Sequence, residues 1–153
     1  MCSVCHGHGK VQKEHTIAIE VQRGAVSGAS RTYTLTDGSK AQFTIHQKPH
    51  REFTRQGDDL YVKRRISLKE ALLGTDLSIR TITGKVISVH IPAGVQPFET
   101  IKVRNHGFIR DPTGLTNKLK SVVFPRGNLY ISVDIDFPSI LTKSQKEIIE
   151  EIL

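Results

Sequence analysis

Apolar and polar residues alternate along much of this chain, and a period of two predicts half-buried strands. TIAIEV (16–21) places Ile17, Ile19 and Val21 on one face. Arg31, Tyr33 and Leu35 share a face in the next run, and Ala41–Ile45 follows. Further strands are predicted over Asp59–Ile66, Leu77–Ile82, Val86–Ile91, Thr100–Val103 and Asn128–Phe137, with Gly, Pro and Asp between them. Two stretches break the alternation. Ser67-Leu68-Lys69-Glu70 is a capping box, with Leu68, Ala71 and Leu72 forming a short apolar stripe and Gly74 placed to end the helix. Thr142-Lys143-Ser144-Gln145 is a second capping box, after which Ile148, Ile149, Ile152 and Leu153 recur at helical spacing. That second stripe needs something to pack on.

The alternating segments also repeat. TIAIEVQRGAVSGASRTYTLTDG (16–38) and VISVHIPAGVQPFETIKVRNHG (86–107) each read strand, Gly turn, strand, Gly turn. Gly24 corresponds to Gly94, Tyr33 to Val103 and Gly38 to Gly107. Each copy is followed by another strand ending near a proline, FTIHQKP (43–49) and YISVDIDFP (130–138), the second after an insertion at 108–126. The expectation is a mainly β protein of two tandem, small, mostly antiparallel β-units, each a β-sandwich or a barrel, with one short internal helix and a C-terminal helix.

Composition narrows the function classes. The 153 residues allow one ordinary domain or two small ones. No apolar run approaches the ~18 residues of a membrane span, and the N-terminus has no signal-peptide h-region. The formal net charge of +7 suggests an acidic partner. Nucleic acid is the obvious one, so a basic β-domain binding RNA is the alternative function. The charges are dispersed, however: the densest run is Lys63-Arg64-Arg65, and no RNP-like string is present. Salt separates the two readings, because phosphate-dominated binding weakens steeply with it. A purely structural dimerisation module, resting on the C-terminal stripe, is a third.

Little in the chain carries chemistry. CSVCHGHG (2–9) sets Cys2 and Cys5 in a zinc-knuckle spacing, with Gly7 and Gly9 letting the chain turn around the sulfurs. Tetrahedral zinc takes four ligands, and these are the only two cysteines, so either a second knuckle is missing or the pair does something else. His6 and His8 are too close in sequence to complete a site with good geometry. CSVCH also fits the c-type haem attachment pattern, but no axial-ligand setting is visible. A redox CxxC needs a thioredoxin-like βαβ context, and only β-meander follows. No GxSxG or HExxH motif exists, so no enzyme is indicated. Asp58-Asp59 reads as the close of a turn before a strand, and His46, His50, His90 and His106 as surface or turn residues.

Several segments, taken in order, resemble the carboxy-terminal region of DnaJ-type co-chaperones of the zinc-binding class, within the J-domain family. CSVCHGHGKV resembles the last of that class's four CxxCxGxG repeats. KPHREFTRQGDDLYV (48–62), SLKEALLGTDLSIRTITGK (67–85), VHIPAGVQPFETIKVRNHGF (89–108) and GNLYISVDIDFPSILTKSQKEIIEEIL (127–153) resemble its successive carboxy-terminal motifs. The resemblance covers essentially the whole chain. Three features depart from it: Gln96-Pro97-Phe98 replaces a Gly-containing turn, 108–126 is not Gly-rich, and GSKAQFTI replaces the usual GDLYVxV.

The resemblance implies a knuckle remnant over 1–14, a first carboxy-terminal domain over 15–57 whose opening strand lies upstream, and a second over 58–153. Zinc belongs to the intact protein, shared between Cys2 and Cys5 and an upstream repeat, with none expected in this piece. Clients are unfolded polypeptides, delivered to the seventy-kilodalton heat-shock chaperone. Ile17 and Phe43 match client-binding positions by the resemblance, while periodicity alone reads them equally well as sandwich core. Ile148, Ile149, Ile152 and Leu153 are expected at a homodimer contact. The expected compartment is the cytoplasm, with an organelle left open because the natural N-terminus is expected upstream.

Overall fold

The computed structural model describes residues 14, 16–110 and 125–153, which form two compact units, 1–47 and 48–153. Cys2 and Cys5 lie outside the described residues.

In the first unit, β1 (Ser30–Thr34) and β2 (Lys40–Thr44) form an antiparallel hairpin. Its turn is set locally. The Asp37 carboxylate accepts from the Ser39 backbone N–H at 2.9 Å and from its hydroxyl at 2.6 Å, and Gly38 supplies the φ of 82°. The expected strand over Thr16–Val21 does not form. The alternation is right for a strand, but a strand exists only through a partner ladder. No described residue pairs with 16–21.

The second unit carries β3 (Phe53–Gln56), β4 (Asp59–Ser67), α1 (Leu68–Leu73), β5 (Thr75–Arg80), β6 (Val86–Ile91), β7 (Thr100–Val103), β8 (Leu129–Asp136) and α2 (Lys143–Ile152). A tight turn with Gly57 at φ 60° joins β3 to β4. That pairing draws 53–56 into the second unit, and the compact units divide at 47/48. Asp58 and Asp59 sit at this turn and serve structure. Asp59 accepts the backbone N–H of Asn128 at 2.6 Å, and Asp58 lies 3.5 Å from Arg110.

The sheet runs β3-β4-β8-β7, with β4 and β8 parallel and the other pairs antiparallel. Alternate residues of its inner face, including Leu60, Val62, Leu129, Ile131 and Val133, meet Ile79, Val89 and Ile91 of the β5–β6 ribbon in one core. Each such aliphatic side chain taken out of water contributes about 1.5–3 kcal/mol. Both capping boxes form as expected, Ser67 with Glu70 and Thr142 with Gln145. Gly74 at φ 81° ends α1.

Two backbone hydrogen bonds of the repeat recur at matching positions in both units. In the first unit Gly28 N–H donates to Ile45 O at 2.7 Å and Ile45 N–H to Ala29 O at 2.9 Å. In the second, Phe98 N–H donates to Val133 O at 2.7 Å and Val133 N–H to Glu99 O at 3.0 Å. The registers match too, Ser30↔Thr44 and Tyr33↔Ala41 against Thr100↔Ser132 and Val103↔Leu129. Gly38 and Gly107 are the exception: Gly107 is held by close approach, since a Cβ there would meet Asn128 O at 2.5 Å.

Candidate functional site

The apolar surface of the first unit follows from strand alternation. Tyr33 and Leu35 on the β1 side and Ala41, Phe43 and Ile45 on the β2 side are half-buried, while the residues between them are exposed. Position 43 pairs with Arg31 in the ladder, so Phe43 lies diagonally across from Tyr33. Their rings meet edge to face, with centroids 5.7 Å apart and planes at 70°. Such pairs hold about 0.5–1.5 kcal/mol beyond their burial. Tyr33 was not among the expected site residues; its place on the same face as Leu35 was the available signal.

Ile17 is half-buried in the unpaired stretch 16–21. Ile19 and Val21, two and four residues on, are exposed by 39% and 57%, and Val26 by 58%. The first unit therefore presents aliphatic side chains along a stretch outside any strand, whose backbone makes no hydrogen bond to another described residue. An extended polypeptide can satisfy such a backbone and cover such side chains together.

Of the four residues expected at a dimer contact, Ile148, Ile149 and Ile152 lie on α2 and Leu153 is its C-cap, and none is covered. Ile148, Ile149, Ile152 and Leu153 are all exposed, and α2 has no buried residue. A separate apolar groove of about 610 Å³ runs between α1 and the end of β8, with Leu72, Leu73, Phe137 and Pro138 in its walls.

Several titratable groups of the second unit are engaged in structure. His90 meets Asp76 at 2.8 Å across the β5–β6 ribbon, with both side chains largely exposed. Arg64 and Arg51 hold the Glu52 carboxyl below its ordinary range. Among the described residues, no group of three or more His, Cys, Asp or Glu could hold a metal ion, and no helix is long and apolar enough to cross a membrane.

Comparison with known proteins gives a consistent family. The family described as "DnaJ C terminal domain" matches residues 6–138. The protein named "Chaperone protein DnaJ" of Leptospira biflexa is 31% identical over 159 aligned residues, covering 98% of this chain and 40% of the relative. Its namesake in Clostridium acetobutylicum is 32% identical over 154 residues, covering 95% of this chain and 38% of the relative. "Chaperone protein DnaJ 1" of Corynebacterium glutamicum is 31% identical, with 99% and 39% covered. The chain spans about 40% of the length of the curated relatives it matches.

Proposed function

Because the chain belongs to the DnaJ C-terminal domain family, we propose that its first unit binds extended apolar segments of unfolded polypeptides. The observation that carries this is the aliphatic row of 16–21, which has no partner strand among the described residues, in the unit that holds the half-buried Tyr33–Phe43 face. Ile17 and Phe43 are the client contacts in this reading. The activity is binding without chemistry: recognition needs apolar pockets for alternate side chains and a backbone ladder, and no nucleophile or general base.

Phe43→Ala tests the assignment with two measurements on one protein. As a client contact, Phe43 costs about 1–3 kcal/mol of peptide affinity when truncated. As core alone, it costs about 3–5 kcal/mol of unfolding stability. Titration with an extended apolar peptide and a denaturant curve separate the two. Unchanged affinity in a folded but destabilised variant removes Phe43 from the site.

In the whole protein we place this region as the client-holding part of a cytoplasmic co-chaperone that passes unfolded chains to the seventy-kilodalton heat-shock chaperone and pairs as a homodimer. Zinc belongs to the whole protein as well. Cys2 and Cys5 supply two of the four ligands a tetrahedral site takes, and the described residues offer no cluster to complete it.

A further inference from the structure

A recess of about 300 Å³ in the second unit lies between the β5–β6 turn at 81–85 and the segments 105–106 and 125–126. Local bonds fix its shape. Thr81 is buried and closes its turn onto Lys85 O, through its backbone N–H at 2.8 Å and its hydroxyl at 2.9 Å. On the other side, the Arg126 backbone N–H donates to Asn105 Oδ1 at 3.2 Å, and His106 Nδ1–H donates to Arg104 O at 2.7 Å. Those two bonds leave the Asn105 amide nitrogen and His106 Nε2 as the remaining polar atoms of these side chains.

The charge of the recess is one-sided. Lys85 and Arg126 line it, and no Asp or Glu does. Neither cation is ion-paired with a described residue, whereas Arg51, Arg64, Arg65 and Arg110 of the same unit each have a carboxylate partner. Arg126 is half-buried, and among the described residues its guanidinium makes one hydrogen bond, from Nη1 to Gly107 O at 3.3 Å. A guanidinium carries five N–H donors, and drawing it partly out of water without an anion is unfavourable. We infer that this recess binds a phosphate group, held by the Arg126 guanidinium and the Lys85 ammonium, with the Asn105 amide and His106 Nε2 as further polar contacts. A phosphate brings up to two negative charges to two cations, and more oxygens than a carboxylate to several donors. Ile82 and Pro125 add apolar wall, so the body of a phosphate ester has a surface to rest on. The site lies in the second unit and does not rest on the client-binding reading of the first.

The test uses the 153-residue chain at constant ionic strength, balanced with chloride. Inorganic phosphate and phenyl phosphate are titrated separately, and binding is followed by amide NMR shifts and by the unfolding midpoint. The shifts should saturate and centre on 81–85, 105–107 and 125–127, and the midpoint should rise with phosphate. Lys85→Gln, at an exposed turn position, and Arg126→Gln should each weaken binding by at least about tenfold. Lys69→Gln, exposed on α1, should leave it unchanged. Arg126→Gln also removes the bond to Gly107 O, so its amide spectrum is compared first, and Lys85→Gln decides if that variant is unfolded. Phenyl phosphate bound at least about tenfold tighter assigns the site to an ester lying on Ile82 and Pro125, and equal affinity assigns it to the bare ion. Shifts that never saturate, or full affinity in Lys85→Gln, overturn the phosphate site.

Discussion

Phe98 shows what one residue can cost a fold. It is the third residue of the turn Gln96–Glu99, closed by Glu99 N–H to Gln96 O at 3.1 Å, and its φ is 65°. Pro97 before it suits the second position of a type II turn, whose third position favours Gly. The matching turn Val26–Ala29 has Gly there, with Gly28 at φ 91°. A side chain in this left-handed region costs about 1–2 kcal/mol, and the Phe98 ring recovers little by burial, being 75% exposed. Glycine restores the easy turn but carries about 0.5–1 kcal/mol of extra chain entropy into folding. Phe98→Gly should therefore stabilise the second unit by about 0.5–1 kcal/mol, read as a shift in urea midpoint. A loss of stability would mean that the ring holds a contact worth more than the strain.

At the scale of elements, α1 shows how a six-residue helix is held. Its length is marginal by itself. The Ser67 backbone N–H and hydroxyl both donate to the Glu70 carboxylate at 2.8 Å. The backbone N–H chiefly, and then the hydroxyl, hold the Glu70 carboxyl below its ordinary range. A depressed carboxyl contributes stability above its unfolded value and loses it as the pH falls through its folded value. The chain should thus lose stability on acidification below the usual carboxylate range. Glu70→Gln, which can still accept the bond, should flatten part of that loss in urea curves taken against pH, the Glu52 pairing with Arg64 and Arg51 accounting for another part. An unchanged acid slope in Glu70→Gln would remove the cap from the explanation. Caps and hairpins of this kind were legible in the sequence because their determinants lie within a few residues: Ser67 with Glu70, Thr142 with Gln145, Asp37 with Ser39. The failures share the opposite property. Thr16–Val21 alternates as a strand should, yet its state depends on a partner that its own residues do not encode. The parallel pairing of β4 with β8 is likewise invisible to local pattern, because both strands read as ordinary alternation. At the candidate site, Ile17 and Phe43 were legible as apolar positions. The contact of Phe43 with Tyr33 was not, because the diagonal arises from the cross-strand register.

At the scale of the whole molecule, the unfinished surfaces matter most. The first unit exposes Ile19 and Val21, and the second exposes the stripe of α2 and its C-cap, with Ile152 and Leu153 at 74% and 91%. Four aliphatic residues on one short helix and its C-cap rarely face water without a partner. A second copy is the partner we assign to them. Sedimentation equilibrium should show self-association that strengthens with concentration, and Ile149→Asp should shift it toward monomer. A chain that stays monomeric at high concentration would overturn the dimer assignment. The parallel pairing of β4 with β8 has a bearing of another kind, on the order of synthesis. Asp59 and the Asn128 backbone it binds are 69 positions apart, so β4 leaves the ribosome long before β8 exists. Until then β4 has only β3 beside it, and its other edge is bare. Closing so distant a pair is slow, and a nascent chain held open at a bare edge invites aggregation. If the proposed client site is right, the chain passes during its own translation through the kind of state that site would recognise.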